Sequence, residues 1–143
     1  MVVFFDTSSL VKLYYQETDS EQLVKLVDEH ISEIYLSEIT KIEFVSAIWK
    51  KVRIGELIPS NAEGVLKCFE NDWDSFSWIR IENRIIESAK NLFLKFGLSG
   101  LRTLDALQFA ACLSEKDKID VFLTHDDFLN GLFKNEGLKT EFA

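Results

Sequence analysis

A parallel three-layer α/β/α sandwich is the fold class this sequence predicts, and three observations predict it. Val2-Val3-Phe4-Phe5 and Val121-Phe122-Leu123-Thr124 are apolar without alternation, as strands covered on both faces are. Segments with helical spacing of apolar residues separate the candidate strands, and that order implies right-handed crossovers in one parallel sheet. Both runs end in acids, Asp6 in one case and Asp126 with Asp127 in the other. The carboxyl edge of such a sheet is where ligands bind.

In chain order, Val2 to Phe5 is the first strand and a helix begins at once after Asp6. Thr7 and Ser8 offer hydroxyls as helix caps or as donors to the Asp6 carboxylate. Asp6 also has a plain reading as a cap at the positive end of the helix dipole. Thr18-Asp19-Ser20-Glu21 spells a capping box for a second helix that carries Leu23, Leu26, Val27 and Ile31 and ends near Glu33. Ile34 to Leu36 is a brief strand, and Ser37 can cap a third helix whose apolar side holds Ile39, Ile42, Val45, Trp49 and Val52. Gly55 closes that helix. Pro59 and the Ser60-x-x-Glu63 box open a fourth, with Val65, Leu66 and Phe69, which breaks at Asp72 to Asp74.

Phe76 to Ile81 alternates as a strand does, with Phe76, Trp78 and Arg80 on one face and Ser77, Ile79 and Ile81 on the other. A fifth helix follows from about Asn83 to Lys95, and Gly97 to Gly100 forms a joint. Leu104 to Leu113 is rich in Ala and Leu, with Asp105 its one charge, and reads as a buried sixth helix. After the strand at Val121 comes a short helical segment, and Leu138 to Phe142 suggests a last strand.

The 143 residues are enough for one domain, 1–143, with a sizeable core, and a 47% hydrophobic, 28% charged balance is that of a globular protein. No apolar run approaches a membrane span and the amino terminus lacks a basic region followed by a long apolar one, so a cytoplasmic location without membrane contact is expected. Cys68 and Cys112 have no metal-type spacing and read as buried free thiols of a reducing compartment. A formal charge of −8 argues against a broad basic surface for nucleic acid. It leaves room for a local one, since a metal-bearing cleft with a few cations can hold a phosphodiester.

Most of the acids belong to polar helix faces, but four do not. Asp6 and Asp126 follow the two most apolar strands. Glu43 has Ile39 and Ala47 four residues to either side, and Asp105 has Leu101 and Phe109 at the same offsets. A buried carboxylate must be neutralised, paired or metal-bound. Four of them, two at strand ends and two early on core helices, suggest one shared reason: hard oxygen ligands for Mg²⁺ or Mn²⁺.

Four stretches carry a resemblance to a known family. Phe5-Asp6-Thr7-Ser8-Ser9-Leu10-Val11-Lys12-Leu13, Ser37-Glu38-Ile39-Thr40-Lys41-Ile42-Glu43, Leu101-Arg102-Thr103-Leu104-Asp105-Ala106-Leu107 and Leu123-Thr124-His125-Asp126 stand in order over almost the whole chain. Each is weak singly, and together they resemble the motifs of the PIN-domain nucleases, especially the VapC-like toxins of toxin-antitoxin pairs. The resemblance implies a PIN-like sandwich and Mg²⁺- or Mn²⁺-dependent hydrolysis of RNA by Asp6, Glu43, Asp105 and Asp126. It implies Asp6 and Asp105 holding the ion directly, with Glu43 and Asp126 acting through water or orienting it. Ser8 and Thr124 would fix carboxylate rotamers. Arg102, with Lys41, would meet the substrate phosphate, although either is equally readable as a solvated surface cation. A small antitoxin protein and a homodimer are the implied partners.

Two residues depart from the family pattern: Asp127 beside Asp126 makes the fourth acid ambiguous, and Gln108 stands where relatives often carry His. His125 adjoins the proposed site, but a metal-held water needs no His base. Other folds that cluster acids at strand ends need different residues. A phosphatase of the haloacid-dehalogenase type needs a second Asp where Ser8 stands, and a response-regulator receiver needs paired acids near the first strand and a late Lys. A non-catalytic RNA- or protein-binding module of the same fold would bind metal without turnover.

Overall fold

The strand Val2–Phe5 (β1) lies at the centre of a four-stranded parallel sheet of order β3-β2-β1-β4, where β2 is Glu33–Ser37, β3 is Ser77–Ile79 and β4 is Val121–Leu123. The structure is a computed structural model and describes residues 1–141. Seven helices connect and flank the strands: α1 Thr7–Tyr14, α2 Ser20–His30, α3 Thr40–Arg53, α4 Pro59–Asn71, α5 Asn83–Phe96, α6 Thr103–Ser114 and α7 Asp127–Asn135.

The period-two geometry of a strand divides β1 between two cores. Phe4 packs with Ile85, Phe96, Phe109, Phe122 and Phe133, beneath α5, α6 and α7. Val3 and Phe5 face the other way, towards Leu10, Leu36, Phe44, Ile48 and Phe69, beneath α1 to α4. Helices therefore cover both faces of the sheet, the predicted three-layer arrangement. Each fully buried Phe contributes roughly 1.5–3 kcal/mol by leaving water.

Several local expectations are corrected. No capping box forms at Thr18: Asp19 takes φ +72°, and the Ser20 hydroxyl instead accepts the Glu17 N–H at 2.8 Å. Helix α2 ends at His30, and Glu33 is already strand. The Ser37 hydroxyl accepts from the Ile39 N–H at 3.2 Å within the turn, leaving α3 to begin without a side-chain cap. Pro59 takes the first position of α4 after Ile58 at the cap, which places Ser60 two residues too late to cap it. Strand β3 is shorter than Phe76 to Ile81, and no strand forms over the described part of Leu138 to Phe142, although Phe122 donates a backbone bond to Lys139. Phe142 itself lies outside the described residues. Cys112 is buried as expected, but Cys68 is exposed.

The largest correction concerns α3. Its buried face is Thr40, Phe44 and Ile48, whereas Ile42 is 66% exposed and Val45 and Trp49 are exposed beside it. The sequence offers two apolar stripes, and tertiary packing chooses between them. Phe44 is turned inward by an aromatic cluster in which its ring lies 4.4 Å from Phe69 and 5.6 Å from Tyr14. Gly55, at φ +84°, closes this helix where a left-handed residue is required.

Candidate active site

Because every strand is parallel, the carboxyl ends of β1 and β4 open on the same edge, and Asp6 follows one directly. A cleft of about 460 Å³ lies there, lined by Asp6, Thr7, Ser8, Glu43, Arg102, Thr103, Leu104, Asp105, Gln108, Asp126 and Leu129. The four acids singled out in the sequence come together from the ends of two strands and the first turns of α3 and α6. Asp126 lines the cleft and Asp127 is exposed outside it, which resolves the placement of that pair.

Asp6 is 5% exposed and accepts three hydrogen bonds, two on Oδ1 and one on Oδ2. Its Oδ1 accepts from the Ser9 N–H at 3.0 Å and the Ser8 hydroxyl at 2.7 Å, and its Oδ2 accepts from the Thr124 hydroxyl at 2.5 Å. The first of these bonds caps α1, so the plain reading of Asp6 and the cleft reading hold together in one side chain. Burial raises the Asp6 pKa above the usual carboxylate range, against the lowering effect of these bonds, and the negative charge of Asp126 adds to the rise. Asp126 in turn caps α7 through the Leu129 N–H at 2.9 Å, and its own N–H donates to Thr124 Oγ1 at 3.0 Å.

Glu43 is held by a second network. Gln108 Nε2 donates to Glu43 Oε1 at 2.7 Å, to Thr40 Oγ1 at 2.9 Å and to Thr7 Oγ1 at 3.2 Å, and the Thr7 hydroxyl donates to Glu43 Oε1 at 3.0 Å. Burial raises the Glu43 pKa, the Gln108 and Thr7 bonds oppose the rise, and repulsion from Asp6 and Asp105 reinforces it. This network was not foreseen. Its one sequence signal is a polar residue at 108, one turn after Asp105 on an otherwise apolar helix.

The raised Glu43 pKa fixes the sign of a pH effect. A carboxyl whose folded pKa exceeds its unfolded value contributes stability below the ordinary range, near pH 4, that is lost as pH rises through the folded value. In chelator, Glu43→Gln is therefore expected to melt above the wild type at pH 7, with the gap closing on acidification towards pH 4. Parallel melting curves from pH 4 to 8 check this, and a gap that widens on acidification overturns it.

Asp105 carries an unsatisfied oxygen. Its Oδ2 is buried and accepts no hydrogen bond, and the nearest cation, Arg102 Nε, stands 3.6 Å away on an exposed side chain. A buried carboxylate oxygen without a donor is costly and is what a cation would satisfy. Among the described residues, no three acidic, His or Cys side chains are grouped as a ready-made ion cage. What fits a hard cation such as Mg²⁺, which keeps several waters and takes one or two carboxylates directly, is the unsatisfied Asp105 oxygen among the carboxylates lining the cleft.

The other predicted residues divide. Ser8 and Thr124 both bond Asp6, and Arg102 lines the cleft. Lys41 does not: its Nζ lies 4.8 Å and 4.7 Å from the ring centroids of Trp73 and Trp78. The His125 ring is turned out of the acidic cleft, with Nδ1 paired to Ser9 Oγ at 2.8 Å. Partial burial, then the Lys12 charge, lower its pKa.

A family model described as PIN domain matches residues 3–130. A comparison with curated protein sequences finds no match. Among solved structures, the chain is similar to VapC20 of Mycobacterium tuberculosis, described as a sarcin-ricin loop cleaving toxin, at 14% identity and TM-score 0.68, covering 91% of this chain and 94% of that one. VapBC2 from Rickettsia felis, bound to a DNA fragment from its promoter, gives 14% identity and TM-score 0.66 over 99% and 98% of the two chains. FitAB bound to a DNA fragment gives 15% identity and TM-score 0.71 over 97% and 93%. At such identities the likeness carries the fold.

Proposed function

Because the chain belongs to the PIN domain family, we propose that its residues 1–143 form one such domain acting as a metal-dependent endoribonuclease, the toxin of a toxin-antitoxin pair. The observation that carries this reading is the meeting of Asp6, Glu43, Asp105 and Asp126 in one cleft beside the single cation Arg102. Asp6 and Asp105 would hold Mg²⁺ or Mn²⁺ directly, Asp105 through a buried oxygen that accepts no hydrogen bond and has only Arg102 Nε near it, at 3.6 Å. A bound ion of this kind lowers the pKa of water and stabilises charge on a phosphoryl oxygen.

The chain's own residues do the positioning. Ser8 and Thr124 hold the Asp6 carboxylate in one rotamer, and Gln108 and Thr7 do the same for Glu43. Glu43 and Asp126, which line the same cleft, would hold and orient the attacking water through their remaining oxygens. Arg102, whose Nε stands 3.6 Å from Asp105 Oδ2, has an exposed side chain that would reach the substrate phosphate. Lys41, occupied by two indole rings, is left with a packing role.

Solved neighbours of this fold include toxin-antitoxin assemblies, which supports a small antitoxin as partner. The uncovered apolar side chains of α3 support a surface closed by that protein or by a second copy of the chain. Among the described residues no helix is long and apolar enough to cross a membrane. The cytoplasm is the compartment this reading proposes. The test is cleavage of mixed single-stranded RNA and structured tRNA with Mg²⁺ or Mn²⁺, beside an EDTA control. Cutting that EDTA abolishes is expected. Binding of Mn²⁺ by thermal shift without cutting of any RNA would instead favour a binding module.

A further inference from the structure

A second hollow, about 400 Å³, adjoins the acidic cleft, and Ser8 lines both. Its chemistry is the reverse. Its apolar lining is Val11, Ala47 and the exposed Ile54, and its polar lining includes Lys12, Lys50, Lys51, His125, Glu17 and Glu56. Lys51 reaches both glutamates, at 3.5 Å and 3.6 Å, which leaves the hollow's positive charge to Lys12 and Lys50. Lys12 spends one N–H on the Thr18 carbonyl at 2.7 Å, and no acid among the described residues pairs with Lys50 or its neighbour Arg53. The His125 ring is held by one bond, between Nδ1 and Ser9 Oγ at 2.8 Å, while the His125 backbone N–H donates to Ser8 Oγ at 3.0 Å.

In a chain of net charge −8, unpaired cations gathered beside the one acidic cleft mark a path for an anion. Resting on the nuclease reading above, we propose that this hollow between α1 and α3 is a subsite for the RNA nucleotide next to the scissile bond. Lys50 and Lys12 meet a flanking phosphate, the apolar lining takes the base, and the His125 ring contacts it. Arg53 continues the track along α3, where it lines an adjoining groove with Lys50. RNA is favoured over an acidic protein segment because the hollow and the acidic cleft share a wall, so one strand can occupy both.

Steady-state cleavage of a single-stranded oligoribonucleotide, at several salt concentrations, tests this with wild type, Lys50→Gln and His125→Ala. Lys50 is exposed, so its variant is expected to melt with the wild type. It should raise KM with kcat unchanged and make the dependence of log kcat/KM on log salt shallower by about 0.7, one single-strand phosphate contact. His125→Ala should raise KM roughly fivefold or more, the low end of a lost base-stacking contact. A wild type that cuts while both variants keep its KM and salt slope overturns the subsite and leaves the lysines to a protein partner. A wild type that cuts no RNA overturns the nuclease reading and the subsite with it.

Discussion

Asp6→Asn is expected to reduce metal-dependent RNA cleavage by at least about 100-fold and, in chelator, to raise the melting temperature. The two effects have one cause. Groups that merely orient metal ligands are worth 10–100-fold, so removing the charge of a ligand should cost at least the upper end of that range. Without metal, however, the ionised form of Asp6 is disfavoured by burial and by Asp126, and a neutral isostere relieves both. Asn suits the site sterically, since its Oδ1 can keep the Ser9 and Ser8 bonds while its amide donates to Thr124 Oγ1. The expected rise is about 3 °C for each kcal/mol relieved. Added Mn²⁺ should stabilise the wild type and leave the variant almost unmoved. Melting curves with EDTA and with Mn²⁺, read beside cleavage, decide it. Unchanged melting and an unchanged metal response in the variant would sink the convergent site.

Phe69→Ala is expected to carry the largest stability loss, about 3–5 kcal/mol, or roughly 10–15 °C in melting temperature. Phe69 is 1% exposed and is the hub of the aromatic cluster, with ring centroids at 4.4 Å from Phe44, 5.6 Å from Tyr14 and about 6 Å from Trp73, Phe76 and Trp78. Its loss reaches the cleft by a short route, because Phe44 adjoins Glu43 and Tyr14 ends the helix that Asp6 caps. Phe69→Leu keeps part of the volume and should lose less than half as much. Chemical denaturation of the three proteins measures this, and an Ala variant within 1 kcal/mol of wild type would show that α4 is not what fixes α1 and α3.

What the sequence reveals and what it hides divide along physical lines. The central strand is legible because a four-residue run of Val and Phe has few ways to leave water. Asp6, Glu43, Asp105 and Asp126 stand out because a charge amid apolar neighbours violates the usual pattern, and they do meet in one cleft. Thr7, Thr40 and Gln108 carry no such mark: neutral polar side chains are tolerated anywhere, and their bonds span 33 to 101 positions. The face of α3 is hidden for a different reason. Ile42, Val45 and Trp49 make as regular a stripe as Phe44 and Ile48, and only the rings contributed by α1 and α4 select the latter. Likewise, nothing near Lys41 in the sequence announces the indoles of Trp73 and Trp78 that draw it away from the cleft.

The order of strands in the sheet has a temporal consequence. β1 is the first strand to be synthesised and β4 the last, yet they are neighbours, and Asp6 is bonded to Thr124 across 118 positions. At the usual 5–20 residues per second of translation, roughly 6–24 s separate the emergence of those two residues. Throughout that interval the nascent chain carries Asp6 without its Thr124 donor and without Asp126. The four acids can meet only after Asp126 has emerged, so no shorter nascent segment carries the complete cleft.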